Sequence, residues 1–60
     1  MIEINKQLLR PDEAAAFLNI SHWTIYRWVR EGKLDATKIG NGSLRIFAES
    51  IHQLIRKEKL

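Results

Sequence analysis

The stretch from Asn19 to Leu34, Asn-Ile-Ser-His-Trp-Thr-Ile-Tyr-Arg-Trp-Val-Arg-Glu-Gly-Lys-Leu, constrains the fold more than any other. It contains a helix start, a two-faced helix and a helix stop. Ser21 is suited to the N-cap, because its hydroxyl can accept from the free backbone N–H groups of the first turn. Gly32 is suited to the stop, because glycine enters the left-handed conformation at little cost. At about 100° per residue, Ile25, Trp28 and Val29 gather on one side at the i, i+3, i+4 spacing of a core stripe. His22, Trp23, Tyr26, Arg27 and Arg30 gather on the other. A merely solvated helix more often presents Glu and Lys there. Two guanidiniums, a tyrosine and a tryptophan suit a partner that is negative and flat.

Size limits what can surround this helix. With 60 residues the expectation is one domain, 1–60, with residues 1–7 as an arm or short strand. So small a core supports a stability of only ~3–5 kcal/mol. The absence of cysteine excludes disulfides and thiolate metal sites. His22 and His52 lack the near spacing of a zinc pair, so neither metal nor cofactor is expected. There is no Ser-His-acid set, carboxylate pair or phosphate loop, and an enzyme is not expected. No apolar run approaches the ~20 residues of a membrane span and no signal-peptide pattern is present, which predicts a soluble, cytoplasmic, bacterial-type protein.

The net charge of +3 is unevenly spread. Lys6 and Arg10 are outnumbered by Glu3, Asp12 and Glu13 before the central helix. Arg27, Arg30, Lys33, Lys38 and Arg45 then face only Glu31 and Asp35. A basic excess on one helix and the segment after it is the footprint of a phosphate-binding surface; solvated lysines on a basic protein are the plainer alternative.

Upstream, Ile2 and Ile4 alternate with polar residues, and Leu8-Leu9 are placed to begin the core. Arg10-Pro11-Asp12-Glu13 is a helix start: proline suits the first helical position, and the carboxylates suit the positive end of the helix dipole. Ala14, Ala15 and Leu18 make its core stripe, with Phe17 at the edge. Asn19 offers a left-handed stop, and Ile20 a hydrophobic staple before the Ser21 cap. Thr24 stands where a capping box would have Glu or Gln. Two short helices, about 11–18 and 21–31, joined by a tight turn have the spacing of a helix-turn-helix, whose second helix is usually the reader. Any helical hairpin with an alanine-rich first helix would share that pattern.

Downstream, Ala36-Thr37-Lys38-Ile39 and Ser43-Leu44-Arg45-Ile46 flank Gly40-Asn41-Gly42. Asn-Gly between β-prone runs predicts a hairpin with a type I′ turn. Alternation then turns Thr37, Ile39, Leu44 and Ile46 inward, and Lys38 and Arg45 outward. From about Ala48 to Lys57 a helix is predicted, with Ile51, Leu54 and Ile55 at core spacing and His52, Arg56 and Lys57 facing out. The fold class is therefore α+β and mostly helical: a small winged helix-turn-helix with three helices and a two-stranded hairpin wing.

Leu8-Leu9, Asp12-Glu13-Ala14-Ala15, Leu18, Ile20-Ser21, the run Thr24 to Leu34, Ile39-Gly40 and Arg45-Ile46 together resemble the excisionase-type helix-turn-helix family, which shares the winged-helix fold of MerR-like DNA-binding domains. The run Thr24 to Glu31 also looks like the reading helix of lambdoid phage excisionases. The resemblance spans residues 8–55. It departs at Trp23, where a charged or polar residue is usual, and at Phe47-Ala48, where a proline or basic residue is usual. It implies the second helix in a major groove of double-stranded DNA and the wing at the neighbouring minor groove. It further implies a recombination directionality factor that bends attachment-site DNA beside an integrase, or a small prophage or mobile-element transcriptional regulator acting with RNA polymerase.

The candidate reading set is then Ser21, His22, Trp23, Thr24, Tyr26, Arg27 and Arg30, and the wing set Lys33, Lys38, Asn41, Ser43 and Arg45. Arg27 and Arg30 can hold a phosphate, or guanine O6 and N7, through paired hydrogen bonds. Tyr26 can donate to a phosphate, and His22 stands where a base edge is within reach. Trp28 belongs to the core. Trp23 stays open between sugar or thymine methyl groups, a partner protein and the wing. One copy has a small footprint, so self-association on DNA or a recombinase partner is expected. The rival reading is a protein-interaction module built on Trp23 and Tyr26.

Overall fold

The computed structural model describes residues 7–57; the expectations for residues 1–6 lie outside them. Six elements follow in order: β1 (Leu8–Leu9), α1 (Pro11–Leu18), α2 (His22–Arg30), β2 (Ala36–Ile39), β3 (Ser43–Phe47) and α3 (Ala48–Lys57). The strands make one antiparallel sheet in the order β1-β3-β2. The helix-turn-helix and the hairpin lie where the sequence puts them. The third strand is an addition: Leu8 pairs with Phe47 and Leu9 with Ile46, so Leu9 packs on the core from an edge strand. Leu8, expected to begin the core with it, turns to the other face because neighbouring strand residues alternate.

The two helix stops are alike. After α1, Asn19 takes φ 58°, and the N–H groups of Asn19 and Ile20 donate to the carbonyls of Ala16 and Ala15. After α2, Gly32 takes φ 82°, with Gly32 donating to Val29 and Lys33 to Trp28. Both are the paired 5→2 and 6→1 bonds of a Schellman ending, which satisfy carbonyls the helix leaves free. At the start of α1 the Arg10 N–H donates to Glu13 Oε1 at 2.9 Å, adding a hydrogen bond to the dipole role expected of Glu13.

The core is built from Ala14, Ala15, Ile25, Leu34, Ile46 and Ile51, with Leu9, Leu18, Ile20, Trp28, Val29, Ala36, Leu44 and Leu54 packed around it. Ala14 has no exposed surface, and its small side chain lets α2 approach closely, with Ile25 fully buried opposite. Trp28 is half-buried against this core, as its spacing predicts. Ile55 is not: it stays exposed beside a groove lined by Leu18, Ile20, Trp28, Lys33 and Leu54. Its spacing suits the core, but among the described residues no element covers that side of α3.

The hairpin register corrects the reading of β2. A type I′ turn at Asn41-Gly42 would pair Lys38 with Arg45. Instead Ile39 pairs with Ser43, Lys38 with Leu44, Thr37 with Arg45 and Ala36 with Ile46. The loop is residues 40–42, with Gly40 at φ 58° and Gly42 at φ 96°, while Asn41 keeps a negative φ. A one-residue slip exchanges the faces of a strand. Ala36 and Lys38 therefore share the core side with Leu44 and Ile46, whereas Thr37 and Ile39 share the outer side with Ser43 and Arg45. Lys38 is exposed only because it lies at the open end of the core side, and Ile39 is 46% exposed. Leu34 decides this phase. It is locked into the core directly after α2, so the next inward position is Ala36.

The start of α3, which has neither proline nor a basic residue, is held by backbone that flanks the sheet. Ala48 N–H donates to Gln7 O at 2.9 Å, and Phe47 N–H to Asp35 O at 3.0 Å. The buried Ser50 hydroxyl donates to Phe47 O at 2.8 Å. Among the described residues no helix is long and apolar enough to cross a membrane.

Ile46 is fully buried where β3 meets the helices. Ile46→Ala should cost about 2–5 kcal/mol, comparable to the whole stability of a domain this small, and urea denaturation followed by circular dichroism should find it largely unfolded in buffer.

Candidate nucleic-acid interface

The helix α2 is fixed at both ends before its side chains matter. Ser21 is extended, and its Oγ accepts from Thr24 N–H at 3.3 Å. Thr24 Oγ1 and Ser21 Oγ share a further hydrogen bond at 3.2 Å, in place of the reciprocal bond of a capping box. Ser21 and Thr24 are thus occupied with each other and the backbone. The Schellman ending at Gly32 fixes the other end.

Between these ends, Trp23, Tyr26, Arg27 and Arg30 form a continuous exposed stripe opposite the buried Ile25. Trp23 is 73% exposed, more than any other large apolar side chain described. His22 sits beside the stripe. Its ring lies against Trp23, with centroids 4.9 Å apart and planes tilted 31°, and edge-on to Tyr26 at 6.2 Å. His22 and Tyr26 also border a shallow notch against Pro11 and Asp12 of α1.

The charges have one organiser that the sequence reading passed over. Glu31 Oε2 lies 3.9 Å from Arg27 Nε, and its Oε1 lies 3.8 Å from Lys33 Nζ. The i, i+4 spacing of Arg27 and Glu31 was the available signal. These contacts are long and more than 40% exposed, so each is worth well under ~1 kcal/mol. They position two cations loosely and can be exchanged for phosphate oxygens at little cost. Lys33 Nζ also stands 5.6 Å from the centroid of Trp28. Lys33 thus borders the groove beside α3 as well as Glu31.

On the wing, Asn41 and Ser43 are exposed at the tip. Arg45 is half-buried on the outer sheet face beside Thr37, its Nη1 donating to Leu44 O at 2.8 Å. Lys38 and Arg45, expected to point outward together, lie on opposite faces of the hairpin. Arg30 has no ion pair among the described residues. So α2 brings His22, Trp23 and Tyr26 into contact, and Glu31 brings Arg27 and Lys33 together. The wing cations stand separately.

A helix-turn-helix braced by a small sheet and followed by a hairpin wing defines the class of this domain. The chain belongs to the helix-turn-helix domain family, whose model matches residues 8–59. Two relatives, from two strains of Mycobacterium tuberculosis and each named "Putative DNA-binding protein", are 39% identical to it over 49 residues. The match covers 82% of this chain and 62% of the length of those relatives.

Ser21 is exposed, and its main structural tie is the cap. Ser21→Ala should lower stability by about 1 kcal/mol, and Ser21→Asp should restore most of it; thermal melts of the three proteins check this.

Proposed function

We propose that this protein binds double-stranded DNA sequence-specifically, with α2 in the major groove and the β2–β3 wing against the flanking backbone. The observation that carries this reading is the exposed stripe of α2, where two guanidiniums and two aromatic rings lie on the second helix of a helix-turn-helix. Residues in that place reach base edges, while cations beside them neutralise phosphates. Arg27 and Arg30 hold phosphates or guanine edges bidentately. Lys33, Lys38 and Arg45 add backbone contacts. Asn41 and Ser43 meet the backbone at the wing tip, and Ser21 and Thr24 keep the first turn of α2 intact. On binding, Glu31 releases Arg27 and Lys33 to the DNA. The names of the two mycobacterial relatives support the same reading.

Within this function we place the protein as an excisionase-like directionality factor that bends attachment-site DNA beside an integrase. The support is the motif run from Leu8 to Ile55 and the small single footprint, which favours assembly of several copies along a site. A small transcriptional regulator would use the same surface. Footprinting over DNA flanking the coding region, with and without an integrase, separates the two roles: enhancement by integrase supports excision, and protection confined to a promoter refutes it.

Binding to a mixed-sequence duplex, followed by fluorescence anisotropy at several salt concentrations, should give a log–log slope of about −4 to −5 for about five phosphate contacts. Arg27→Ala should weaken binding about tenfold and flatten the slope by about one, with an unchanged circular dichroism spectrum. Binding absent at low salt, or indifferent to salt, would refute the proposal in favour of a protein partner on the Trp23–Tyr26 face.

Glu31→Gln should act in the opposite sense. Removing the carboxylate that competes with phosphate should tighten binding to any duplex about two- to fivefold, read in the same titration.

A further inference from the structure

The exposed tryptophan of α2 has no structural duty. The residue is 73% exposed, it belongs to no part of the core, and it lies on the side of the helix opposite the buried Ile25. A large flat apolar side chain left in solvent is available to a partner, and covering it releases free energy in proportion to the area buried. The ring is also held in place before any partner arrives. It stacks at a tilt on His22, which is in turn braced edge-on by Tyr26. An exposed side chain stacked on a braced neighbour loses less freedom when it binds than one that is free to rotate.

Its surroundings select the partner. Trp23 lies in the first turn of α2, where a helix set into a major groove touches base edges rather than backbone. Arg27, one turn on, and Arg30 beyond it are cations that a nucleic acid would satisfy and an apolar protein surface would not. In the major groove the apolar feature of the base edges is the C5-methyl group of thymine, which 5-methylcytosine shares and cytosine lacks. An indole offers that methyl a flat apolar contact, and its one N–H is a donor for a neighbouring acceptor.

We propose that Trp23, stacked on His22, is a specificity-determining residue that reads a pyrimidine C5-methyl group in the major groove, so that the DNA site of this protein contains thymine opposite the first turn of α2. The proposal rests on the DNA-binding reading given above and goes beyond it by naming a base feature and the side chain that reads it. Arg27 and Arg30 supply affinity, and Trp23 supplies part of the choice of sequence.

Selection from a random duplex pool, with the wild type and with Trp23→Ala, supplies the site. The enriched duplex is then remade with each thymine in turn replaced by deoxyuridine, which deletes only the methyl group. For the wild type, one or two replacements should weaken binding about three- to fivefold each, the loss expected for one buried methyl. For Trp23→Ala the same replacements should make no difference. Replacing the critical thymine–adenine pair by 5-methylcytosine–guanine should retain more affinity than replacing it by cytosine–guanine. Phe17→Ala, which removes an exposed aromatic ring on α1, should leave the discrimination intact. Trp23 is exposed, so its variant should fold, as circular dichroism can verify.

Equal sensitivity to deoxyuridine in wild type and Trp23→Ala, or no sensitivity in either, would overturn the proposal while leaving DNA binding in place. A pool that yields no preferred sequence despite salt-dependent binding would overturn it too. Loss of all salt-dependent binding in the wild type would instead strike at the DNA-binding reading itself.

Discussion

The Trp28 carbonyl at the end of α2 is the point on which the rest of the structure turns. It accepts from Lys33 N–H at 2.8 Å and, less closely, from Leu34 N–H at 3.3 Å. Gly32 in the left-handed conformation makes that closure affordable, and the chain leaves the helix with Leu34 already inside the core. From there alternation places Ala36 inward against Ile46, and the phase of β2 is set. The next carbonyl of consequence is that of Asp35, which accepts from Phe47 N–H and lies 3.4 Å from the Ser50 hydroxyl, whose proton points mainly to Phe47 O. The same few residues thus join α2 to the sheet and the sheet to α3.

That rigid frame carries a loosely held charge pattern. Glu31 touches both Arg27 and Lys33, but at the long end of the ion-pair range and in solvent. Such pairs contribute little to folding. What they do is keep two long cationic side chains near one carboxylate without holding either firmly. The aromatic part of the surface is held in the opposite way, by ring contacts among His22, Trp23 and Tyr26 that do not depend on salt. On the DNA-binding function proposed above, exchangeable cations would supply the salt-sensitive part of binding, and the rings a part that salt leaves alone.

The helical part of the fold was legible because its signals are local. Pro11, Asn19, Ser21 and Gly32 act on their own turns, and the helix limits read from them agree with the structure to within a residue or so. The stripe of α2 was legible for the same reason, since helical spacing alone separates Ile25 from Arg27. The wing was legible as a hairpin but not in its register. Gly40, Asn41 and Gly42 permit more than one loop, and Asn41-Gly42 favours the shorter one when considered alone. Ile55 misled in another way: periodicity places a residue on a face, and whether that face is covered depends on elements far away in sequence.

The sequence by itself determined that this chain forms a helix-turn-helix with a basic, aromatic outer face and a hairpin after it, because caps, stops and spacing act within a few residues. Tertiary structure alone decided which side of the hairpin each wing residue takes, that Leu8-Leu9 complete the sheet, and that Lys33 leans on Trp28. Those outcomes depend on contacts between distant segments. Leu34 had to find the core before Ala36 could point into it, and β3 had to be in place before β1 could pair with it or Gln7 could accept from the first turn of α3.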